Sequence, residues 1–523
     1  NNSDCSVLPL YRRISGPAAT GPMVVTGDVL QGFLQAIQPS SLMATAVGCL
    51  LGIVVGMIPG MTISSGIIIL LPLTFVLDPN VSIALLLGLY VGGMLGGSFS
   101  AILLNIPGTP SAAATALDGH PLVARGETGR ALGVAMLASF AGGLFSCLCL
   151  FLISPSLADL ALGFRAPDLF SLMFLGLTMI CSFAAQSWIK GLLSAVIGLA
   201  IVSIGQDPVM GTARFTFGDT NLLSGIHFLT ALIGLFAIPQ LIENLGKKTI
   251  DGVVRTPSIP FKSLLPTLPD LRRMRLPVTI GSIAGSFLGM LPGAGGPIAA
   301  FISYDYARKT AQNSNEFGKG AIEGIAAPES ANNAVTGGAL IPMMTLGIPG
   351  DPVTAVLIGA LLIHGLAPGP LLFIERGDFA YGIIFSFFWA NIFNLVIALA
   401  GLRLLIKLAA APRTILMPAI AILCVVGSYA LRNSFFDVYV MFCFGLLGLV
   451  MKWLDMPVVP LLLALVLGQQ LEENLRIALT GSQGDISVFF TSPFSALFLS
   501  LSVVSVIWSI QSTRGMQNKE AGT

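Results

Sequence analysis

The chain has 523 residues, 54% of them hydrophobic and 10% charged, with a formal net charge of +1 and a mean hydropathy of +0.88. A soluble fold of this size leaves much of its surface at the water boundary and cannot hide so much apolar material, so lipid must be the solvent for most of it. This excludes a soluble enzyme and a disordered scaffold, and the near-zero charge leaves no electrostatic footprint for nucleic acid.

Residues 1–26 are polar and carry Arg12 and Arg13 without an apolar centre, which reads as a tail and not as a cleavable leader. Apolar segments then follow at about 41–58, 63–77, 81–104, 131–153, 167–185, 188–204 and 222–242. Residues 243–275 form a polar linker in which Lys247, Lys248, Arg255, Lys262, Arg272, Arg273 and Arg275 outnumber the acids. The positive-inside rule makes this linker cytoplasmic. Further apolar segments lie at about 276–291, 296–306, 334–348, 353–366, 379–409, 416–431, 436–454, 457–471 and 493–510, and 511–523 is a polar tail. A full span needs about 20 residues, and several of these are shorter. The expected fold is therefore an all-α polytopic membrane protein of about 10–14 transmembrane or re-entrant helices. Trp188, Trp453 and Trp508 fall near segment ends, as an aromatic belt requires. The seven cysteines lie mostly in apolar runs without a CxxC pair and read as packing residues, and the three histidines are scattered.

Two motifs recur. Gly56-Met-Ile-Pro-Gly60 returns as Gly289-Met-Leu-Pro-Gly293, and Asn105-Ile-Pro-Gly-Thr-Pro110 returns as Gly347-Ile-Pro-Gly-Asp-Pro352, in the same order and at nearly the same offset. The chain thus reads as two membrane repeats, 27–242 and 276–510, with helices broken at Pro-Gly. By analogy with other transporters we expect the repeats to be inverted. Proline removes an N–H and glycine frees the backbone, so a helix stops inside the membrane. The freed backbone groups are tolerable only where they line a cavity, and helix N-termini carry partial positive charge that suits carboxylates. The expected solute seat comprises Pro59, Gly60, Thr62, Asn105, Pro107, Gly108, Thr109, Pro292, Gly293, Ser330, Asn332, Asn333, Pro349 and Gly350. These offer backbone N–H groups and neutral side-chain donors. Glu329 and Asp351 are the acids placed nearest membrane depth, and so are the candidates for coupling to an ion.

These residues also resemble a known family, the large membrane subunit of tripartite tricarboxylate transporters (TctA). The most specific stretches are Gly56–Thr74, Leu104–Gly126, Arg214–Gly218 (RFTFG) and Phe317–Gly350, within a resemblance running from about residue 27 to past 450. The resemblance implies a multi-pass subunit of a bacterial inner membrane, working with a small four-helix membrane subunit and a periplasmic solute-binding protein. It implies uptake of an organic carboxylate driven by a gradient of Na+ or H+, without a cofactor. That agrees with the lack of a phosphate-binding G-x-x-x-x-G-K-[ST] loop. Oligomeric state stays open, a homodimer being one alternative. Competing readings are a passive channel and a membrane-embedded enzyme. The second would need a nucleophile–base pair or an acidic metal motif, and no GxSxG, HExxH or DDxxD occurs.

Overall fold

The computed structural model describes residues 22–58, 61–183, 188–208, 210–245, 260–293, 295–409 and 413–520. Among them are 20 α-helices, more pieces than the segment count suggested. The reason is local: several apolar segments are halves of broken helices, and short helices such as Pro370–Glu375 cap the long ones. Five helices are long and apolar enough to cross a membrane.

The first six helices are α1 (Pro22–Ala36), α2 (Pro39–Met57), α3 (Ile63–Thr74), α4 (Pro79–Leu104), α5 (Ala112–Ala124) and α6 (Thr128–Ala161). Then come α7 (Ala166–Phe183), α8 (Trp188–Val202), a short antiparallel hairpin of β1 (Gly205–Gln206) and β2 (Ala213–Arg214), and α9 (Phe228–Leu245). The next set is α10 (Leu268–Met290), α11 (Gly295–Thr310), α12 (Glu323–Leu346), α13 (Pro352–Ile363), α14 (Pro370–Glu375) and α15 (Gly377–Ala409). The last are α16 (Arg413–Ala430), α17 (Phe435–Trp453), α18 (Val458–Gly481), α19 (Val488–Thr491) and α20 (Pro493–Glu520).

Helices run into all three segments expected to be polar tails or linker. The helix α1 starts at Pro22, α9 and α10 take up both ends of 243–275, and α20 continues to Glu520. In α10 the sequence explains it: Thr267 and Asp270 form a capping box with a proline in the first turn, so Arg272, Arg273 and Arg275 ride on helix instead of loop. Pro328–Asn333 was expected between apolar stretches and lies inside α12. Pro328 is the sixth residue of that helix, past its first turn, so it forgoes the helical bond to the Gly324 carbonyl, while its polar neighbours find partners on other helices.

All four Pro-Gly motifs fall in gaps between helices. The first gap separates α2 from α3; its Pro59 and Gly60 lie outside the described residues. The others separate α4 from α5, α10 from α11 and α12 from α13. The helix α4 stops at Asn105, which adopts a left-handed backbone (φ 55°), and α12 stops at Gly347 (φ 71°). Each is a helix C-cap at the matching place in its motif.

Glycine spacing fixes how the helices pair. A methyl group added at Gly48, Gly52 or Gly56 of α2 would fall 2.0–2.4 Å from the carbonyl oxygens of Leu85, Leu89 and Gly93 in α4. Both series ascend, so α2 and α4 lie parallel, backbone against backbone. Gly281, Gly285 and Gly289 of α10 meet the carbonyls of Ala327, Ala331 and Val335 in α12 in the same way. Stripes of this kind let membrane helices approach closely enough for dispersion to hold them, since lipid supplies no hydrophobic drive between helices. Between the two pairs the order reverses. Tyr90 donates to Asp351, just beyond α12, and the carbonyl of Met94 accepts from Asn332 within it, so α4 and α12 run antiparallel.

The helices gather into two bundles. The first comprises α1–α6 and α10–α15, with the buried α4 and α12 at its centre. The second comprises α7–α9 and α16–α20, in which α17 packs on α9, α18 on α8 and α7, and α20 on α7. Among the described residues, each ion pair closes within one bundle. The bundles meet through apolar side chains, for example Pro72 of α3 on Gly427 of α16 and Ile348 on Gly176 of α7. Along this boundary lies an apolar cavity of about 410 Å³, bordered by Leu175, Met179, Pro292, Pro342, Leu346 and Val504.

One face of the first bundle carries most of its basic side chains. There Arg130 bridges Asp270 and Glu127, and Arg273 bridges Glu316 and Glu323. The Arg273 guanidinium holds the Glu316 carboxyl below its usual range. Since α9 rises about 27 Å over its 18 residues, its N-terminus and the β-hairpin stand at the opposite face. An alternating set of Arg214, Glu472, Arg476 and Asp207 ties the hairpin to α18, and Phe217 beyond it is 91% exposed.

Candidate functional site

The gaps are contiguous. Gly108, in the second, donates its N–H to Gly97 O at 3.1 Å, and a methyl group on it would lie 2.0 Å from Gly56 O, three residues before the first Pro-Gly. Gly293, in the third, donates to Gly350 O in the fourth at 3.1 Å. The second and third meet at the centre: a methyl group on Gly296 would lie 3.2 Å from Ser111 Oγ and 3.5 Å from Asn332 Oδ1.

This meeting point brings together the N-termini of α5 and α11; in α5 the first two N–H groups turn back to Thr109 O at 3.1 Å and Pro110 O at 3.4 Å, and in α11 the third residue is Pro297, which has no N–H, so the positive dipole ends contribute more than free donors. Thr109 Oγ1 and Ser111 Oγ stand 3.2 Å apart, and both residues are buried. Asn332 is fully buried; its amide N–H donates to Met94 O at 3.4 Å, while its Oδ1 has no hydrogen-bond partner. Buried polar atoms are nearly always satisfied, so an orphan at such a place calls for an explanation. One turn toward the N-terminus of α12, Glu329 is also fully buried and accepts from Thr115 Oγ1 at 2.5 Å, with Oε2 unpartnered.

The structure spreads the other expected residues around this centre. Asn333 donates to Ser139 on α6, and its Oδ1 is unpartnered. Ser330 turns to Ala327 O at 3.0 Å and packs on Gly281 and Gly142, as helix packing requires. Pro349 and Gly350 are buried behind the seat, and Pro292 borders the apolar cavity. Asn105 and Pro107 are exposed, so Asn105 acts here on the backbone by ending α4. Thr62 caps α3 and lies apart, in a cavity of about 220 Å³ shared with Gln240, Glu243 and Lys452.

Glu329 and Asp351 differ in kind. Asp351 caps α13: its carboxylate accepts from Thr354 N at 2.7 Å, Thr354 Oγ1 at 2.8 Å and the Tyr90 hydroxyl. It is a satisfied structural group. Three residues escaped the sequence reading of the seat. Ser111 gave a signal as the polar residue after Pro110 at a helix start, but Gly296 and Asp118 matter only through tertiary contact. Asp118, fully buried, accepts from Gly320 N at 2.7 Å, Ala321 N at 2.8 Å and Tyr304 OH at 2.8 Å, and so clamps α5 to the start of α12.

The fold and its buried polar centre define a multi-pass helical membrane protein whose interrupted helices converge on an interior seat. The family model for the tripartite tricarboxylate transporter TctA family matches residues 42–463. The chain belongs to that family. Two relatives come from Agrobacterium vitis. The "52.8 kDa protein in TAR-I ttuC' 3'region" is 39% identical over 496 residues, covering 94% of this chain and 98% of the relative. A protein from the TAR-II ttuC' 3'region is 42% identical over 226 residues, covering 43% of this chain and 93% of the relative. No solved structure matches.

Proposed function

We propose that this chain is the large permease subunit of a binding-protein-dependent secondary transporter importing an organic di- or tricarboxylate by cation symport. One observation carries the reading: two helix N-termini, at α5 and α11, face each other beside the buried Ser111 and Asn332 inside a membrane fold. Helix N-termini supply N–H donors and positive dipole ends without a fixed cation. Such a seat recognises a carboxylate and still lets it go, which transport requires. Family membership supports the remaining elements: a bacterial inner membrane, a small four-helix subunit and a periplasmic protein that delivers the solute. With the basic face cytoplasmic, the β-hairpin with its exposed Phe217 looks toward the periplasm.

The matched motifs, the parallel pairs α2–α4 and α10–α12, and the antiparallel relation of α4 to α12 support an inverted repeat. The lack, among the described residues, of an ion pair joining the two bundles supports movement of the first bundle against the second.

The test is uptake into proteoliposomes holding the large subunit with its cognate membrane subunit and binding protein. A panel of di- and tricarboxylates is offered under separately imposed sodium and pH gradients. At least one carboxylate should accumulate against its gradient, and failure of every one would reject the reading. In the same assay Asn332→Ala, which removes the second amide N–H that a carboxylate would need (Oδ1 can only accept), should raise the half-saturating solute concentration about 10- to 100-fold, the worth of a hydrogen bond to a charged group. Its amount in the membrane should stay unchanged, and unaltered saturation would remove Asn332 from the seat.

A further inference from the structure

The helices α5 and α12 form an antiparallel ladder with three polar rungs. Ser111 stands by Asn332 across Gly296; one turn on, Thr115 bonds Glu329; one turn further, Asp118 packs against Gly324 and binds the backbone of Gly320 and Ala321. The first rung is the carboxylate seat proposed above, and the third is a closed structural clamp. The middle rung is left open. Glu329 has one oxygen on Thr115 and none on Oε2, and Ser98 approaches from α4.

Among the described residues no cationic side chain answers this carboxylate. On α4, Tyr90 is engaged by Asp351; on α5, Asp118 is saturated and His120 contacts Ile102 O. On α11, Tyr304 serves Asp118, and Asp305 pairs with Lys309. On α6 and α10, Arg130 and Asp270 close on each other, and Arg273 takes Glu323 of α12. An acid inside a membrane protein without a partner from the protein is expected to meet a mobile one.

We propose that Glu329, with the hydroxyls of Thr115 and Ser98, is the seat of the cotransported monovalent cation. This rests on the carboxylate-uptake reading and separates the two acids that the sequence left equivalent, since Asp351 is a cap. Coupling follows from the ladder. The cation and the solute charge lie one helical turn apart on the same two helices, so each seat, when filled, fixes the α5–α12 spacing the other needs. Opposite charges at that separation also attract, more strongly in a medium of low dielectric.

The experiment compares the wild-type system with Glu329→Gln in proteoliposomes, measuring accumulation under a sodium or a pH gradient and solute exchange with equal cation on both sides. The ratio of gradient-driven accumulation to exchange should fall about 5- to 150-fold in the variant, the usual range of a coupling between sites. Dependence of the wild type on sodium alone names sodium as the occupant of Glu329; dependence on pH alone names the proton. A variant that keeps the wild-type gradient dependence overturns the proposal, as does a wild type driven by neither gradient. If Glu329→Gln fails to insert, Thr115→Val serves. It should raise the half-saturating cation concentration (proton concentration in the pH arm) about fivefold or more, and an unmoved cation response overturns the proposal. A wild type that moves no carboxylate refutes the transport reading itself, whereas a carboxylate-moving system still cation-driven after Glu329→Gln refutes this assignment alone.

Discussion

Valine at position 108 is expected to abolish uptake. Gly108 touches the backbones of α2 and α4 at once: its N–H bonds Gly97 O, and a β-carbon there would sit 2.0 Å from Gly56 O, 2.8 Å from Gly97 Cα and 2.7 Å from the Ser100 hydroxyl. Relief would require the Gly56 carbonyl to retreat. It is held because α2 and α4 interlock through Gly48, Gly52, Gly88, Gly92 and Gly96, each already at backbone contact. Overpacking of a well-filled site costs about 1–3 kcal/mol even where side chains can yield, and here the obstacle is main chain. The second Pro-Gly gap would be pushed off α2, carrying Ser111 and the start of α5 from the seat. Gly350→Val is the matched variant in the other half, where the added carbon meets Gly289 O at 2.6 Å and Ala339 Cα at 2.7 Å. Uptake normalised to the amount of protein in the membrane is the measurement. Transport near the wild-type rate by either variant would show that the gaps are spacers.

Asp351→Ala is expected to be the most destabilising single change among the polar residues near the seat, without altering which cation drives uptake. Its carboxylate caps α13, and losing an N-cap costs about 1 kcal/mol. Tyr90, fully buried, would keep a hydroxyl with no acceptor, adding about 1–3 kcal/mol. The sum, about 2–4 kcal/mol, should appear as a lower thermal midpoint in detergent or lipid nanodiscs. Asp351→Asn, which preserves an acceptor oxygen, should recover part of it. An unchanged midpoint would contradict the capping role. A changed sodium or pH dependence would return Asp351 to the coupling site and weaken the case for Glu329.

The sequence carried the class of fold and the positions of the helix breaks, because both rest on local chemistry. Lipid demands apolar composition, and proline with glycine stops a helix wherever it stands. It also marked Asn332 and Glu329 as polar residues out of place in an apolar run. What it could not carry was direction. Ser330, Asn332 and Asn333 are adjacent in the chain but project around α12 toward α10, α4 and α6, so one borders the seat, one packs and one bonds Ser139. Asp351 and Glu329 looked alike because a cap and an open carboxylate differ only in what surrounds them. The Pro328–Asn333 stretch, expected between apolar stretches, lies inside a buried helix because its polar side chains find partners on other helices, which the sequence alone does not display.

The division of ion pairs between the bundles has a mechanical consequence. Salt bridges act as detents, since each joins one particular donor to one particular acceptor and a displacement of a few ångströms breaks it. Greasy side chains are interchangeable neighbours, and a helix advanced by a turn exchanges one set of them for another of similar worth. Among the described residues every ion pair of the two bundles closes inside one of them, and apolar side chains line much of the seam, so no ion pair ties one bundle to a single height against the other. On the proposed transport reading, the choice among heights passes to whatever fills the seat.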